Sequence, residues 1–139
     1  MSSSVYKFIP VLNSELRTSM ELNFTNIKEA KGKVYVAVYN AETGFLKEEK
    51  ALLREVFSVE KSGSLSVNVN IEKEGRYAIA AFHDLNGNGK LDKNMVGVPT
   101  EPYAFSNNAR PKLRAPNWNE ASFAWKPGGS VVSLKLEKW

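Results

Sequence analysis

The 139 residues contain no cysteine. That absence excludes disulfide staples, cysteine-ligated metals and thiol catalysis. Histidine occurs once, as His83, so a multi-histidine metal cluster is excluded as well. No apolar run approaches the roughly 20 residues that a membrane-crossing helix needs. The sequence has no phosphate-cradling glycine loop, no Ser-His-Asp ordering, no internal repeat and no low-complexity tract. The formal net charge is +4, but Lys and Arg are scattered along the chain. Their one local excess, Arg110, Lys112 and Arg114, reads as a solvated loop; nucleic-acid binders gather such charge into a stripe with aromatics between. The opening run Met1 to Lys7 lacks the apolar core of a signal peptide.

The remaining composition, 42% hydrophobic and 24% charged, is that of a globular protein. The length fits one domain with a real core. We therefore expect a single domain over 1–139, with residues 1–13 as a flexible N-terminal segment. The dominant period is two. Leu16, Thr18, Met20, Leu22 and Phe24 alternate with polar residues, and Val34, Val36 and Val38 alternate with Tyr35, Ala37 and Tyr39. Leu65, Val67, Val69 and Ile71 form a third run, and Val132, Leu134 and Leu136 a last one. Such alternation sets one face on a core and the other in water. Tyr77 to His83 is nearly all apolar, as expected of a central strand covered on both faces. Leu46 to Phe57 reads as a loop or helical turn running into a strand. Turn signals at 30–33, 62–64, 74–76 and 127–129 separate the runs. The pattern predicts an all-β fold, an antiparallel two-sheet sandwich with one long irregular region. From Asp84 to Asn119 no periodicity appears, and a stretch of about 35 such residues in a compact domain is often functional.

That region opens with Asp84-Leu85-Asn86-Gly87-Asn88-Gly89-Lys90-Leu91-Asp92-Lys93-Asn94. It aligns with the twelve-residue calcium loop. Asp84, Asn86 and Asn88 take positions one, three and five, and Gly89 takes the sharp turn at six. Lys90 takes position seven, which contributes a backbone carbonyl. Leu91 falls at position eight, which faces the core, and Asp92 takes position nine. A hard cation wants oxygen ligands from closely spaced chain positions, and this alternation supplies them. Met95 stands where a bidentate Glu belongs. The candidate ligands are Asp84, Asn86, Asn88, Lys90 and Asp92, and the expected cofactor is weakly bound Ca²⁺. The competing reading is a turn whose Asp and Asn side chains satisfy their own backbone.

A second stretch, 101–118, mixes aromatics with Asn, Glu and Arg. Glu101, Tyr103, Phe105, Asn107, Asn108 and Trp118 are candidate contacts for a small ligand or carbohydrate. The alternative is that they pack a long loop against the sheet edge, with Trp118 and Phe123 buried. A hydrolase using Asp84, Asp92 or Glu101 with His83 is the remaining reading. No nucleophile or oxyanion motif supports it, and a lone strand-end His is more often structural.

The chain resembles a bacterial family catalogued as domain of unknown function 2141. The resemblance rests on Gly75-Arg76-Tyr77-Ala78, on His83 through Asn94, on Gly97 to Glu101, on Phe105-Ser106-Asn107-Asn108-Ala109-Arg110 and on Ala121-Ser122-Phe123. Pro102 and Ala104 stand where the family tends to carry glycines. The resemblance implies an exported protein with an Ig-like or transthyretin-like sandwich and supplies no activity. The expectation is thus a non-enzymatic, periplasmic or secreted binding or accessory module. Its partner would be a protein or carbohydrate at the cell surface or in the periplasm, with no nucleic acid and no membrane insertion.

Overall fold

The computed structural model describes residues 19–139. The N-terminal segment 1–13 and the start of the first alternating run, Leu16 to Thr18, lie outside these residues. The described residues fold into eight strands in two sheets. In order they are β1 (Ser19–Ile27), β2 (Lys33–Tyr39), β3 (Leu53–Ser58), β4 (Gly63–Asn70), β5 (Gly75–Asp84), β6 (Tyr103–Phe105), β7 (Phe123–Trp125) and β8 (Val132–Lys135). One helical turn, α1 (Trp118–Ala121), precedes β7.

A three-stranded sheet runs β4-β1-β8, and a five-stranded sheet runs β3-β2-β5-β6 with β7 paired further along β5. Met20, Leu22 and Phe24 of β1, Val34 and Val38 of β2, Ile79 of β5 and Leu134 of β8 are each 0% exposed. They belong to one hydrophobic cluster fed by both sheets. Burial of this apolar area is the main stabilising term. Alternation fixed which residues these are, because a one-residue slip would turn every side chain to the opposite face.

One pairing departs from the antiparallel pattern: β8 runs parallel to β1, with Leu22 opposite Val132 and Phe24 opposite Leu134. Period-two alternation fixes faces and is silent on strand direction. A second departure concerns β5. Tyr77, Ile79, Ala81 and His83 enter the core, whereas Ala80 and Phe82 are only half-buried. That face is open at Ala80 and Phe82, where it forms the floor of a groove described below, while Ala78 and Asp84 on the same face are 0% exposed. The ambiguous stretch resolves into a 3-10 turn, Glu48–Lys50, leading to β3. Within the irregular region lies β6, too short at three residues to show a period.

A register shift interrupts the β1–β4 ladder between Phe24 and Ile27. Asn26 takes φ +67° there, a left-handed conformation that Asn tolerates better than most residues. Its side chain donates to the Leu136 carbonyl at 2.7 Å, tying the bulge to the far end of the chain.

Candidate cation loop and the groove it walls

The loop begins where β5 ends. Lys33 of β2 lies opposite Asp84 in the ladder, and Asp84 is 0% exposed. Its carboxylate accepts the backbone N–H of Gly87 at 3.1 Å with one oxygen and of Gly89 at 2.8 Å with the other. Gly87 and Gly89 both sit at φ +77°, which is why glycines occupy these positions. Asn86 accepts the Asn88 N–H at 3.1 Å, and Asn88 accepts the Lys90 N–H at 3.0 Å. Each Asn turns its amide nitrogen to the Asp92 carboxylate: Asn88 donates at 2.6 Å, and Asn86 makes a shorter contact with the other oxygen.

Asp84, Asn86, Asn88 and Asp92 are thus drawn together in one hydrogen-bonded loop, while the Lys90 side chain is exposed. Among the described residues, no group of three or more His, Asp and Glu lies close enough to hold an ion by itself. An ion here would draw part of its shell from Asn and backbone oxygens.

Glu101 joins the loop from outside. It is 4% exposed and accepts the N–H of Leu85 at 2.8 Å and of Asp92 at 3.0 Å. One carboxylate therefore clips both ends of the loop. The backbone bond from Thr100 to the Asp92 carbonyl and the Lys93–Pro99 bridge continue the closure. Asn94 accepts from Val96 and Val98, each at 3.0 Å, and rounds off the next turn. His83 is 1% exposed, and its Nε2 lies 2.6 Å from the Lys31 carbonyl.

Beside the loop, the outer face of the five-stranded sheet forms a groove of about 920 Å³. Tyr35, Phe82, Tyr103 and Phe105 line it, with Ala80 between. Tyr35 and Phe82 are opposite each other on β2 and β5, and their rings stack 5.0 Å apart and nearly parallel, at 6°. Phe82 pairs in turn with Tyr103 on β6. Tyr103 and Phe105 meet edge to face at 5.9 Å. Arg110 lies 4.0 Å over the Tyr103 ring and donates to the Tyr103 carbonyl at 2.9 Å, so the +4 chain uses this arginine structurally. At the other end of the groove stands Tyr39, whose phenol is pushed above its ordinary pKa by burial and then by Glu48. It remains a neutral hydroxyl at physiological pH.

Gly89, Leu91 and Lys93 line the same groove. A Cβ placed on Gly89 would come within 3.5 Å of the Tyr35 hydroxyl. The loop is therefore one wall of the groove, and Leu91, expected to face the core, is half-buried on this wall instead.

Of the second set of candidates, Tyr103 and Phe105 line the groove; Glu101, Asn107, Asn108 and Trp118 do not. Asn107 donates to the carbonyls of Glu120 at 3.1 Å and Ser122 at 2.9 Å. Asn108 accepts the Lys135 N–H of β8 at 2.9 Å. Both take left-handed backbone, at φ +61° and +50°. Trp118 packs edge to face on Phe45 at 5.8 Å. It and Phe123 are half-buried, and the buried aromatic of this region is Trp125, 6% exposed. Tyr35 and Phe82 escaped the reading of the sequence because they look like strand members. The available signal was Tyr35 falling on the polar phase of a valine alternation, which marks an aromatic on the outer face of the sheet; Tyr39, on the same phase, is itself buried at 3% exposed.

Fold and site together define an all-β, two-sheet domain with an Asp/Asn/Gly loop beside an open aromatic sheet face. The model of a bacterial family, domain of unknown function 2141, described as an uncharacterised protein conserved in bacteria, matches residues 22–133. The chain belongs to that family. No curated protein and no solved structure matches it.

Proposed function

We propose that the chain is an exported, non-enzymatic binding module of Ig-like or transthyretin-like sandwich type. Its groove takes a small ring-bearing ligand, a carbohydrate in the first instance, and Ca²⁺ stiffens the Asp84–Asn94 wall. The observation that carries this reading is that Gly89, Leu91 and Lys93 of the loop line the groove with Tyr35, Phe82, Tyr103 and Phe105. Ordering the loop therefore shapes the surface a ligand would meet. Flat aromatic faces flanked by Tyr hydroxyls suit the C–H faces and hydroxyls of a sugar.

Buried His83 and the backbone-bound oxygens of Asp84 and Glu101 favour a binding role over acid–base chemistry. Ca²⁺ would have to replace the amide donors that Asn86 and Asn88 present to Asp92. With Met95 at position twelve, that exchange favours weak binding, roughly 10⁻⁴ to 10⁻³ M as in extracellular modules. Such a site fills outside a cell, which agrees with export, the property the family resemblance implies.

The test compares melting in Ca²⁺ with melting in chelator for the parent, Asp92→Asn and Lys90→Ala. At Ca²⁺ one hundred times the dissociation constant the parent gains about 2.7 kcal/mol. Asp92→Asn removes a charged ligand and loses the gain, whereas Lys90→Ala keeps its carbonyl and retains it. Identical parent melting temperatures through millimolar Ca²⁺ would leave the loop as a self-closed turn and remove calcium from this reading. Titration with oligosaccharides tests the groove separately: Phe82→Ala should abolish any binding the parent shows, and a parent that binds none removes the carbohydrate.

A further inference from the structure

Past the loop, the surface changes character. Met95 is 103% exposed, Val96 81%, Leu113 87% and Trp139 50%. Val96, Leu113 and Trp139 come from three separate parts of the chain yet line one cavity of about 340 Å³, together with Lys93 and Arg114. Large apolar side chains at this exposure lose free energy to water and recur where a surface meets another phase. Leu113 adds strain to exposure. It sits at φ +65°, a left-handed conformation costly for a leucine, and no apolar burial at the site offsets it.

The unpaired side-chain charge around this patch is mostly of one sign. Arg114 is spent on Glu120 at 2.7 Å, and Glu137 on Lys135 and Arg110 at 3.2 and 3.6 Å. Asp92 keeps its charge and is hydrogen-bonded to the loop amides. Lys93 on the cavity wall, Lys112 beside Leu113 and Lys138 beside Trp139 form no ion pair among the described residues. The result is protruding apolar tips among three lysines without ion-pair partners, with Glu120 and Glu137 already paired and Asp92 held by amide hydrogen bonds.

We propose that this corner of the molecule rests on an anionic lipid surface. Met95, Val96 and Leu113 enter the headgroup layer, Trp139 lies at its boundary, and Lys93, Lys112 and Lys138 meet the lipid phosphates. Basic side chains around a shallow apolar insertion are the chemistry of peripheral attachment to anionic bilayers, and indole rings favour that interface. The protruding shape favours a fluid apolar phase over a protein partner, which would offer a pre-shaped pocket. The contact requires neither Ca²⁺ in the loop nor a ligand in the groove, although Lys93 belongs both to the groove wall and to this patch.

The test is sedimentation of the full chain with phosphatidylcholine vesicles, with and without phosphatidylglycerol, in chelator. The parent should sediment with the anionic vesicles alone and be released as salt screens the lysines. Lys93→Gln, Lys112→Gln and Lys138→Gln should each weaken binding about fivefold. Val96→Ser with Leu113→Ser should abolish it without loss of melting temperature, since both side chains are exposed. Val131→Ser, at a side chain 47% exposed outside the patch, should bind as the parent does. The proposal is overturned if the parent stays in solution with anionic vesicles at low salt, if neutral vesicles bind it equally, or if the double serine variant binds unchanged. Capture of an acidic protein through the same side chains, with vesicles left unbound, would also overturn it and assign the patch to a protein partner.

Discussion

Glu101 accepts the backbone N–H of Asp92 at 3.0 Å across nine residues, and its other oxygen takes the N–H of Leu85 at 2.8 Å. The clip comes from beyond the loop it closes. Its function is thus conformational: it holds the two ends of the Asp84–Asp92 segment at a fixed separation whatever occupies the middle. Glu101 is buried and has no ion-pair partner among the described residues. Its backbone hydrogen bonds are what compensate the loss of hydration.

Glu101→Gln should therefore destabilise by about 1–3 kcal/mol, because one buried acceptor becomes an amide nitrogen facing a backbone donor. Urea denaturation gives the magnitude. Hydrogen exchange gives the location, and the amides of Leu85 and Asp92 should lose protection first. Unchanged protection at both would mean that Glu101 does not hold the loop.

Ser106 is a second fixed point of this region. It is 0% exposed, accepts the Ile79 N–H at 2.8 Å and donates to the Ala121 carbonyl at 2.5 Å. Ser106→Ala leaves both backbone groups without that partner in the core. We expect a loss of about 2–4 kcal/mol from the two unsatisfied groups. Ser106→Gly should not recover it, and a loss within error of zero by equilibrium unfolding would contradict the assignment.

Two glycines with nearly equal backbone angles should behave differently. Gly32, at φ +71°, lies so close to the end of β5 that an added Cβ would stand 2.1 Å from the Asp84 carbonyl oxygen. Gly87, at φ +77°, has open space around that position. Gly87→Ala should cost about 1–2 kcal/mol, the left-handed penalty alone. Gly32→Ala adds a backbone collision and should cost about 2–5 kcal/mol. Equal melting temperatures for the two variants would show that the close approach of Gly32 to Asp84 is absent in solution.

The entry to α1 supplies a pH dependence. Glu120 is held down to about 2, from 4.5, first by the Arg114 side chain and then by the Asn117 backbone N–H. A carboxyl whose pKa is depressed on folding contributes stability above the unfolded value, and that contribution is lost as pH falls through the folded value. The contribution of this pair should therefore decline between pH 4.5 and about 2. Glu120→Gln should flatten the stability profile in that window and leave it unchanged near neutrality apart from a constant offset. A variant with the parent's acid slope would assign that slope to other carboxyls.

The valine and leucine alternation by itself determined which residues fill the core: Leu22 and Val36, placed there by period alone, are 0% and 2% exposed. It did so because a strand has two faces and a single core can accept one of them. The Asp84–Asn94 pattern likewise determined a glycine-turned, hydrogen-bonded loop, since spacing along so short a segment fixes geometry locally. Other features depended on contacts between distant parts of the chain. The parallel pairing of β8 with β1, the Glu101 clip, the anchoring of Asn107 and Asn108, and the ring stack of Tyr35 on Phe82 all join segments far apart in sequence. Hydrophobic period reports burial and carries no information about which strand lies beside which. Tyr35 is an ordinary strand residue until β5 brings Phe82 alongside it, and Gly89 an ordinary turn residue until the loop folds back over that ring. The groove and its wall exist only once the five-stranded sheet has assembled.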